Sequence, residues 1–589
     1  MNDENAAGRR WYEGVTPYMW LVLLIASLGW IFDIFEGQIF VASMKEAMPS
    51  LLPKGTLEGT VDFYNNIALS AFLVGGALGG VLFGMLSDKI GRTRTMILTI
   101  LMYSLFTAVT AFAQNWWQMT VLRFLVAMGT GGEWAVASAM VAEVFPKRAR
   151  AWSLGIFHAS SVLGTYMAVL AGAYVVGNYE MAGQLAEGAR EFGAVFGPRV
   201  ADYLAWFFSS PWRLGFLIGV LPALLTVWIR WKLREPEQWE EARERARADV
   251  AQRTGRVLDL FAPDLLRNTL VGLTLATVGL ATFWGVHIYG RELLRNIVEG
   301  PYLADARPHI EQAAGVVGSR TDALLETHPE GVEPAEYQRV VDESAAVIRG
   351  ALKNALEPYY EEAEPHEPKH EKLAKSVDDA SEKVLKPLQA VAEGDRKLIE
   401  PERIAEAPGK VRKRMKQAFL AALPDAHKEA IKGWEMLGMF LVTTGGGLGL
   451  LSFGPICEWI GRRGTFLLFH LGGLVSALVV FQGMSDASPT ALCWMLPVFG
   501  YLTLGMHAGY AIYFPELFPT RLRGTGGGFC FNGGRFLAAS IIIIRGWMRS
   551  DRWMGLSLET TASILSLLFL VGLIVLLFAP ETKGRDLPA

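Results

Sequence analysis

Gly84-Met-Leu-Ser-Asp88-Lys-Ile-Gly91-Arg92 and Gly454-Pro-Ile-Cys-Glu458-Trp-Ile-Gly461-Arg462 are one pattern written twice, 370 residues apart. Each sets a glycine, an acid four positions on, a second glycine and a closing arginine directly after an apolar run. A second pair has nearly the same spacing. Glu143-Val-Phe145-Pro146-Lys-Arg148-Ala-Arg150 returns as Glu516-Leu-Phe518-Pro519-Thr-Arg521-Leu-Arg523, displaced by 373. Two independent motifs that share an offset mark an internal duplication, so the body of the chain is read as two copies of one unit.

The runs around these motifs are about 20 residues long, enough to cross a hydrocarbon core of about 30 Å. Twelve are legible: 17–42, 64–87, 95–113, 117–143, 151–177, 212–232, 267–290, 432–455, 465–484, 490–515, 525–545 and 556–579. Most are apolar on every face, which selects a bilayer over a soluble core. The expected fold is an all-α membrane protein of twelve transmembrane helices in two pseudosymmetric halves of six. The N-terminal half takes 1–233, a linker 234–264, and the C-terminal half 265–290 with 431–589.

The chain is 51% hydrophobic and 19% charged, with mean hydropathy +0.27. Soluble proteins carry about a quarter charged residues. The charge is concentrated in 291–430, which holds 21 Lys/Arg and 27 Asp/Glu. That block is expected to be a helical insertion between helices seven and eight. Leu373, Val377, Ala380, Val384, Leu388 and Val391 form one amphipathic stripe, with Pro387 expected to kink or break it. Further stripes run through Tyr337, Val341, Ser344, Ile348 and Leu352, and through Val411, Met415 and Phe419. The segment 361–370 reads as a linker, in which His366 and His370 beside Glu371 lack tight metal-ligand spacing. The loop 178–211 is long, and 234–256 reads as an amphipathic helix on the membrane surface.

Lys and Arg set the orientation. Lys89, Arg92 and Arg94, then Lys147, Arg148 and Arg150, and in the second half Arg462, Arg463, Arg521 and Arg523 fall in alternate loops. The loops near 114–118 and 485–489 hold none. Both termini are therefore expected in the cytoplasm of a multi-pass cell-membrane protein, with 291–430 on the outer side. Residues 1–13 are polar and the first apolar run is long, so no cleavable leader is expected. Cys457, Cys493 and Cys530 lie in or beside apolar runs and suggest no disulfide framework. The net charge of −3 identifies no partner. No nucleotide, metal or nucleophile motif appears, so neither an enzyme, a cofactor nor a nucleic-acid partner is expected.

The Gly-x-x-x-Asp-Lys-x-Gly-Arg loop at 84–92 resembles the signature of the major facilitator superfamily. Its second copy, and Pro580-Glu581-Thr582-Lys583-Gly584, resemble the sugar-porter and metabolite–proton symporter branches. Gly131-Gly132-Glu133-Trp134 and Phe531-Asn532-Gly533-Gly534-Arg535 point towards the metabolite–proton symporters, which include carriers of organic and aromatic acids, sialic acid and osmolytes. The likeness covers roughly 17–290 and 432–589 and leaves out the polar block. The glutamine-rich helix-seven signature of sugar porters is missing. So is the Gly-Pro helix-five motif of drug–proton antiporters, where Ser161-Val-Leu-Gly164 stands.

The loop motifs suggest a cytoplasmic gate built from Asp88, Arg92, Glu143, Glu458, Arg462, Glu516 and Arg521. Asp88 is placed to pair with Arg92 and to sit at the positive N-terminus of helix eleven near Gly524. By pseudosymmetry Glu458 would face the start of helix five near Ala151. Such contacts latch the halves together and must break when that side opens. The alternative is that these charges only orient the loops.

Charges inside apolar runs are functional candidates because they are costly there. Asp33 and Glu36 stand three residues apart on one face of helix one, where two carboxylates repel and favour a proton on one of them. In the family this region of helix one commonly carries the proton-coupling acid. Sugar porters pair it with the helix-four arginine, so the resemblance implies an Asp33–Arg123 pair. A hydrogen-bonded structural carboxylate is the alternative for Asp33. Glu133 reads either as a gate or packing charge or as a further coupling group. Arg535 and Asn532 put a guanidinium and an amide on one helix face, donors suited to a carboxylate, and the matching Asn-x-x-Arg of organic-acid carriers is associated with substrate. His158, at the pseudosymmetric place, His287, His507, Tyr510 and Tyr513 are weaker candidates for the cavity wall, and could equally be packing or interface residues.

The function expected is proton-coupled symport of a small organic metabolite, an organic or aromatic acid before a sugar. Its partners are the substrate, protons and the bilayer. The rival is a transporter-like sensor whose external insertion binds a ligand or a partner.

Overall fold

The computed structural model describes residues 11–52, 58–176, 179–219, 232–248, 254–363, 369–392, 398–549 and 554–588, with isolated positions between 221 and 229. The described elements are helical apart from one antiparallel bridge, Val332 to Ile399. The chain divides into two compact units: 1–290 with 441–484 and 494–589, and 291–440 with 485–493.

In the first unit, helices α1 (Pro17–Leu51), α2 (Glu58–Ile90), α3 (Arg92–Thr110) and α4 (Trp116–Val144) lead. Next come α5 (Lys147–Ala159) and α6 (Ser161–Ala171), a broken pair where the sequence suggested one span at 151–177. The long loop at 178–211 is two helices, α7 (Tyr179–Ala194) and α8 (Pro198–Phe208), before α9 (Pro211–Ile218). Most of the remaining span expected to end at 232 lies outside the described residues. The linker holds α10 (Glu237–Ala248), and α11 (Leu266–Thr282) follows. Among the described residues eight helices are long and apolar enough to cross a bilayer. One of these stretches, Ala426–Gly483, contains two of the expected spans, divided where Gly461 takes φ +83°.

The halves repeat in packing as well as in sequence. A side chain at Gly79 would come within 2.0 Å of the Met128 carbonyl, and one at Gly449, 370 residues later, within 2.3 Å of the Tyr501 carbonyl. In both places a missing Cβ lets backbones touch, the small-residue packing expected of helices in lipid. The turn that ends each loop motif is also the same: Gly91 has φ +113° and Gly461 φ +83°, a region glycine enters without steric cost.

The second unit has its own core. Here α12 (Tyr289–Thr327), α13 (Pro334–Ala363), α14 (Lys369–Ala392), α15 (Ala407–Ala422) and the start of α16 (Asp425–Leu478) bury Ile310, Val341, Ile348, Leu352, Val384, Leu388, Met415 and Phe419 together. The predicted stripes are the buried faces of these helices. The expected break at Pro387 does not occur, and α14 runs through it. The carbonyl deprived of its amide partner belongs to Lys383, which is solvent-exposed, so water can serve it. His366 and part of the 361–370 linker lie outside the described residues. Among the described residues no group of three or more His, Cys, Asp or Glu is placed to hold a metal ion.

In the first unit the chain continues with α17 (Pro489–Leu504), whose first residues belong to the second unit, then α18 (Met506–Leu517), α19 (Arg523–Arg549), α20 (Leu558–Ser566) and α21 (Leu568–Val575).

Candidate functional site

At the end of the bundle that carries the loop motifs, the charges form a buried network. Gly84 has no side chain, so α2 packs directly on the start of α19, where a Cβ would lie 2.6 Å from the Gly524 carbonyl. That approach delivers Asp88 to the N-terminus of α19. Its carboxylate accepts from Gly524 N at 3.1 Å, Thr525 N at 2.7 Å and Thr525 Oγ1 at 2.6 Å. Free amides and the helix dipole both favour an anion there. Arg92 closes the arrangement, with Nη1 on Asp88 at 2.5 Å and Nε and Nη2 on the two oxygens of Glu143 at 3.2 and 2.8 Å. Arg523 of the second half donates to the same Glu143 at 2.8 Å. All four charged side chains are excluded from solvent.

The second copy is built alike but closes less tightly. Arg462 pairs with both oxygens of Glu516, at 2.8 and 3.0 Å, and with Glu458 at 2.9 Å. Gly454 packs against the Ala151 carbonyl, yet Glu458 bonds Arg462 and stays about a third exposed instead of meeting helix five. Arg521 is held by Asp259 of the linker at 2.9 Å, whereas Arg523 reaches Glu143 of the first half and Arg92 donates back to the Thr520 carbonyl at 3.2 Å. The place of Arg523 as partner of Arg150 in the repeated motif was the available signal. Arg150 Nε donates to the Ala142 carbonyl and Arg523 Nε to the Pro515 carbonyl, the same local bond at an offset of 373. Two acids outside the expected gate complete the network. Glu235 accepts from Arg92 N, Thr93 N and Arg94 N, and Glu581 from Arg462 N and Arg463 N. Each caps the helix that begins at the motif's arginine. The Glu-Pro at 235–236 and the Pro-Glu at 580–581 were the trace of this pairing.

Deeper in the bundle the helix-one acids separate. Arg123 pairs with Glu36, not with Asp33 as the family pattern implied. Thr107 Oγ1 donates to Glu36 at 3.0 Å, and Arg123 Nη2 donates to Thr110 Oγ1 at 2.9 Å. The guanidinium lies over the rings of Phe216 and Phe40, at 4.8 and 5.3 Å. The reason for the exchange is register: three residues further along α1, Glu36 is the acid that comes level with Arg123, and its longer side chain reaches it. Asp33 lies beside Thr130 and within electrostatic reach of Arg535 on α19.

Arg535 and Asn532 sit flush on α2, because Gly76 and Gly80 leave room for them. Asn532 Nδ2 donates to the Gly131 and Gly528 carbonyls at 3.3 and 3.1 Å, so its donors are committed to helix packing and Oδ1 has no partner among the described residues. His158 accepts from Trp134 Nε1 on Nδ1 at 3.1 Å, and Trp30 Nε1 donates to its carbonyl at 3.3 Å. Trp134 in turn stacks on Phe531 with centroids 3.9 Å apart. Across the C-terminal half, Tyr510 donates to the Leu275 carbonyl at 3.0 Å, His507 contacts the Gly279 carbonyl at 3.2 Å, and Tyr513 donates to the Pro580 carbonyl at 2.6 Å. Thr503 Oγ1 lies 2.7 Å from both the Phe499 carbonyl and His287 Nδ1. The structure thus brings Asp33, Arg535, Asn532 and His158 to one aromatic-lined region. His287 stacks on Phe283, which also borders His507, while Tyr513 is turned to the loop end.

Residues 17–183 match the model of the Major Facilitator Superfamily. The chain is 30% identical over 236 residues to a probable 4-methylmuconolactone transporter of Cupriavidus pinatubonensis, covering 40% of this chain and 47% of the relative. It is 30% identical over 234 residues to the sialic acid transporter NanX of Escherichia coli, covering 39% and 48%. The matches thus span about half the length of these relatives. The fold resembles that of the proton:xylose symporter XylE, with a TM-score of 0.52 and 13% identity over 97% of this chain and 98% of the other.

Proposed function

We propose that this chain is a member of the major facilitator superfamily and a secondary active transporter that carries a small organic acid together with protons by alternating access. The reading places twelve spans in the cell membrane, both termini in the cytoplasm and 291–430 outside. The observation that carries it is the standing of Asp33 against Arg535 at the aromatic-lined centre of the bundle. A guanidinium within the membrane-spanning bundle needs a counter-anion. With Asp33 ionised, Asp33 supplies it. A proton on Asp33 releases Arg535 to take a substrate carboxylate, so proton and acid load together and the pair crosses without adding charge to the site. Trp30, Trp134 and Phe531 make this region aromatic, which suits a planar or ring-shaped body. Glu36–Arg123 stays as a fixed pair that holds α1 against α4.

At the loop end, the Asp88 cap and the Arg92–Glu143–Arg523 chain form the gate that must part when this side opens. Support for an acid substrate comes from Arg535 and from two relatives whose names specify 4-methylmuconolactone and sialic acid.

The test is reconstitution of the full chain in liposomes with a pH dye inside and a panel of carboxylates, sugars and amino acids outside. A carboxylate is expected to acidify the lumen. Uptake of xylose with none of the carboxylates would remove the acid reading. Co-transport of protons that survives Asp33→Asn would remove the coupling assignment.

A further inference from the structure

Glu133 lies on α4, ten residues on from Arg123 and so about 15 Å nearer the loop end. It is fully buried, and two contacts define it. Its Oε1 rests against Gly29 of α1, where a Cβ would stand 2.6 Å away, and has no hydrogen-bond partner among the described residues. Its Oε2 lies 2.6 Å from Thr99 Oγ1. That hydroxyl also lies 2.9 Å from the Met96 carbonyl. A threonine has one proton to give, and here it stands between two acceptors. If the proton goes to Met96, the short contact to Glu133 needs a proton from the carboxyl itself.

The surroundings point the same way. α1 contributes Asp33 and Glu36, and α3 contributes Tyr103, whose buried hydroxyl has no partner among the described residues and feels all three carboxyls. On α4 itself, Arg123 is taken by Glu36. On α5, His158 is an acceptor for Trp134, and on α19, Arg535 bears on Asp33. The face of α2 against α4 presents Phe83 and glycines. No cation among the described residues bears on Glu133. A bare carboxylate in this setting is costly, and a neutral carboxyl is not.

We propose that Glu133 is a second proton-binding site, one helical turn along α1 from Asp33 towards the loop end. Gly29, Asp33 and Glu36 fall on one face of α1, so Glu133, Asp33 and Glu36 form a ladder along it. Glu36 is the ionised rung, fixed by Arg123. Glu133 is the protonated rung, and Asp33 between them is the one that changes. Its link to transport rests on the proton-coupled reading above, whereas proton occupancy at Glu133 can be read without substrate.

The experiment is infrared spectroscopy of the purified full-length protein in lipid at neutral pH. A protonated-carboxyl C=O band is expected that persists in Asp33→Asn, shifts in Thr99→Val and vanishes in Glu133→Gln. An unchanged protonated-carboxyl band in Glu133→Gln overturns the proposal, as does a Glu133 carboxylate band in Thr99→Val, a variant that keeps the acid should Glu133→Gln fail to fold. If the symport reading alone is wrong, no carboxylate acidifies the liposome lumen, yet the Glu133 band remains.

Discussion

Of the two helix-one acids, Glu36 pairs with Arg123, while Asp33 lies only within electrostatic reach of Arg535, and the two are expected to respond differently to neutralisation. Glu36 is paired, bonded by Thr107 and almost wholly buried, so Glu36→Gln strands a guanidinium inside the bundle. Breaking one side of a buried pair costs about 3–5 kcal/mol. The variant should melt markedly earlier in detergent, and adding Arg123→Met should recover much of the loss. Asp33 makes no ion pair of that kind among the described residues, so Asp33→Asn should leave the melting temperature unchanged or raise it while removing proton co-transport. A large loss of stability in Asp33→Asn would show it to be a structural carboxylate. The sequence made both acids visible, since carboxyls in an apolar run stand out, but not their partners. Reach across a bundle depends on helix register and rotation, and the three residues between Asp33 and Glu36 along α1 decide which acid meets Arg123.

At the scale of the elements, the duplication is a packing rule. Gly79 on α2 and Gly449 on α16 each let one backbone touch another, and a methyl group at either would strike a carbonyl at 2.0 and 2.3 Å. Gly79→Ala and Gly449→Ala should therefore lose about 1–3 kcal/mol each, the usual cost of overpacking. Gly527→Ala meets nothing within 4 Å on α19 and should be neutral or gain up to about 1 kcal/mol from the unfolded chain's lost freedom. Comparing thermal unfolding of the three variants checks it, and equal effects would remove the close-approach account.

The cap at Glu581 makes a pH prediction. Burial works against its ionisation, but backbone N–H groups of Arg462, Lys583, Arg463 and Thr582 more than offset this and hold the carboxyl below its ordinary range. Its stabilisation is thus complete above about pH 4.3, the unperturbed glutamate value, and fades as pH falls through the lower folded value. Glu581→Gln should lower the melting temperature at pH 7 and lose that difference in acid. The acid-arginine motif was legible because its residues are contiguous. The caps left only the Glu-Pro and Pro-Glu pairs as a trace, because Glu235 and Glu581 reach their helices from more than a hundred residues away.

At the scale of the whole molecule, the separate core at 291–440 bears on the proposed transport. The sequence showed its helical stripes, since buried positions recur every three or four residues, and the buried face of each helix follows them. Its partner or ligand was not legible, since a stripe records burial and not recognition. The unit's apolar side chains are largely spent on its own core, which favours independent folding. Residues 291–430 made alone should be strongly helical by circular dichroism and melt cooperatively. The full chain with 295–425 replaced by a short flexible linker should then still take up the substrate found in the liposome screen, with a changed apparent affinity at most. The residues proposed for coupling and substrate, Asp33 and Arg535, and those of the proposed gate, Asp88, Arg92, Glu143 and Arg523, all lie in the other unit. If the shortened protein inserts and melts normally but no longer transports, the insertion belongs to the transport cycle. If the intact chain transports nothing from the panel while the isolated unit binds one of its members, the protein is a sensor built on a transporter fold.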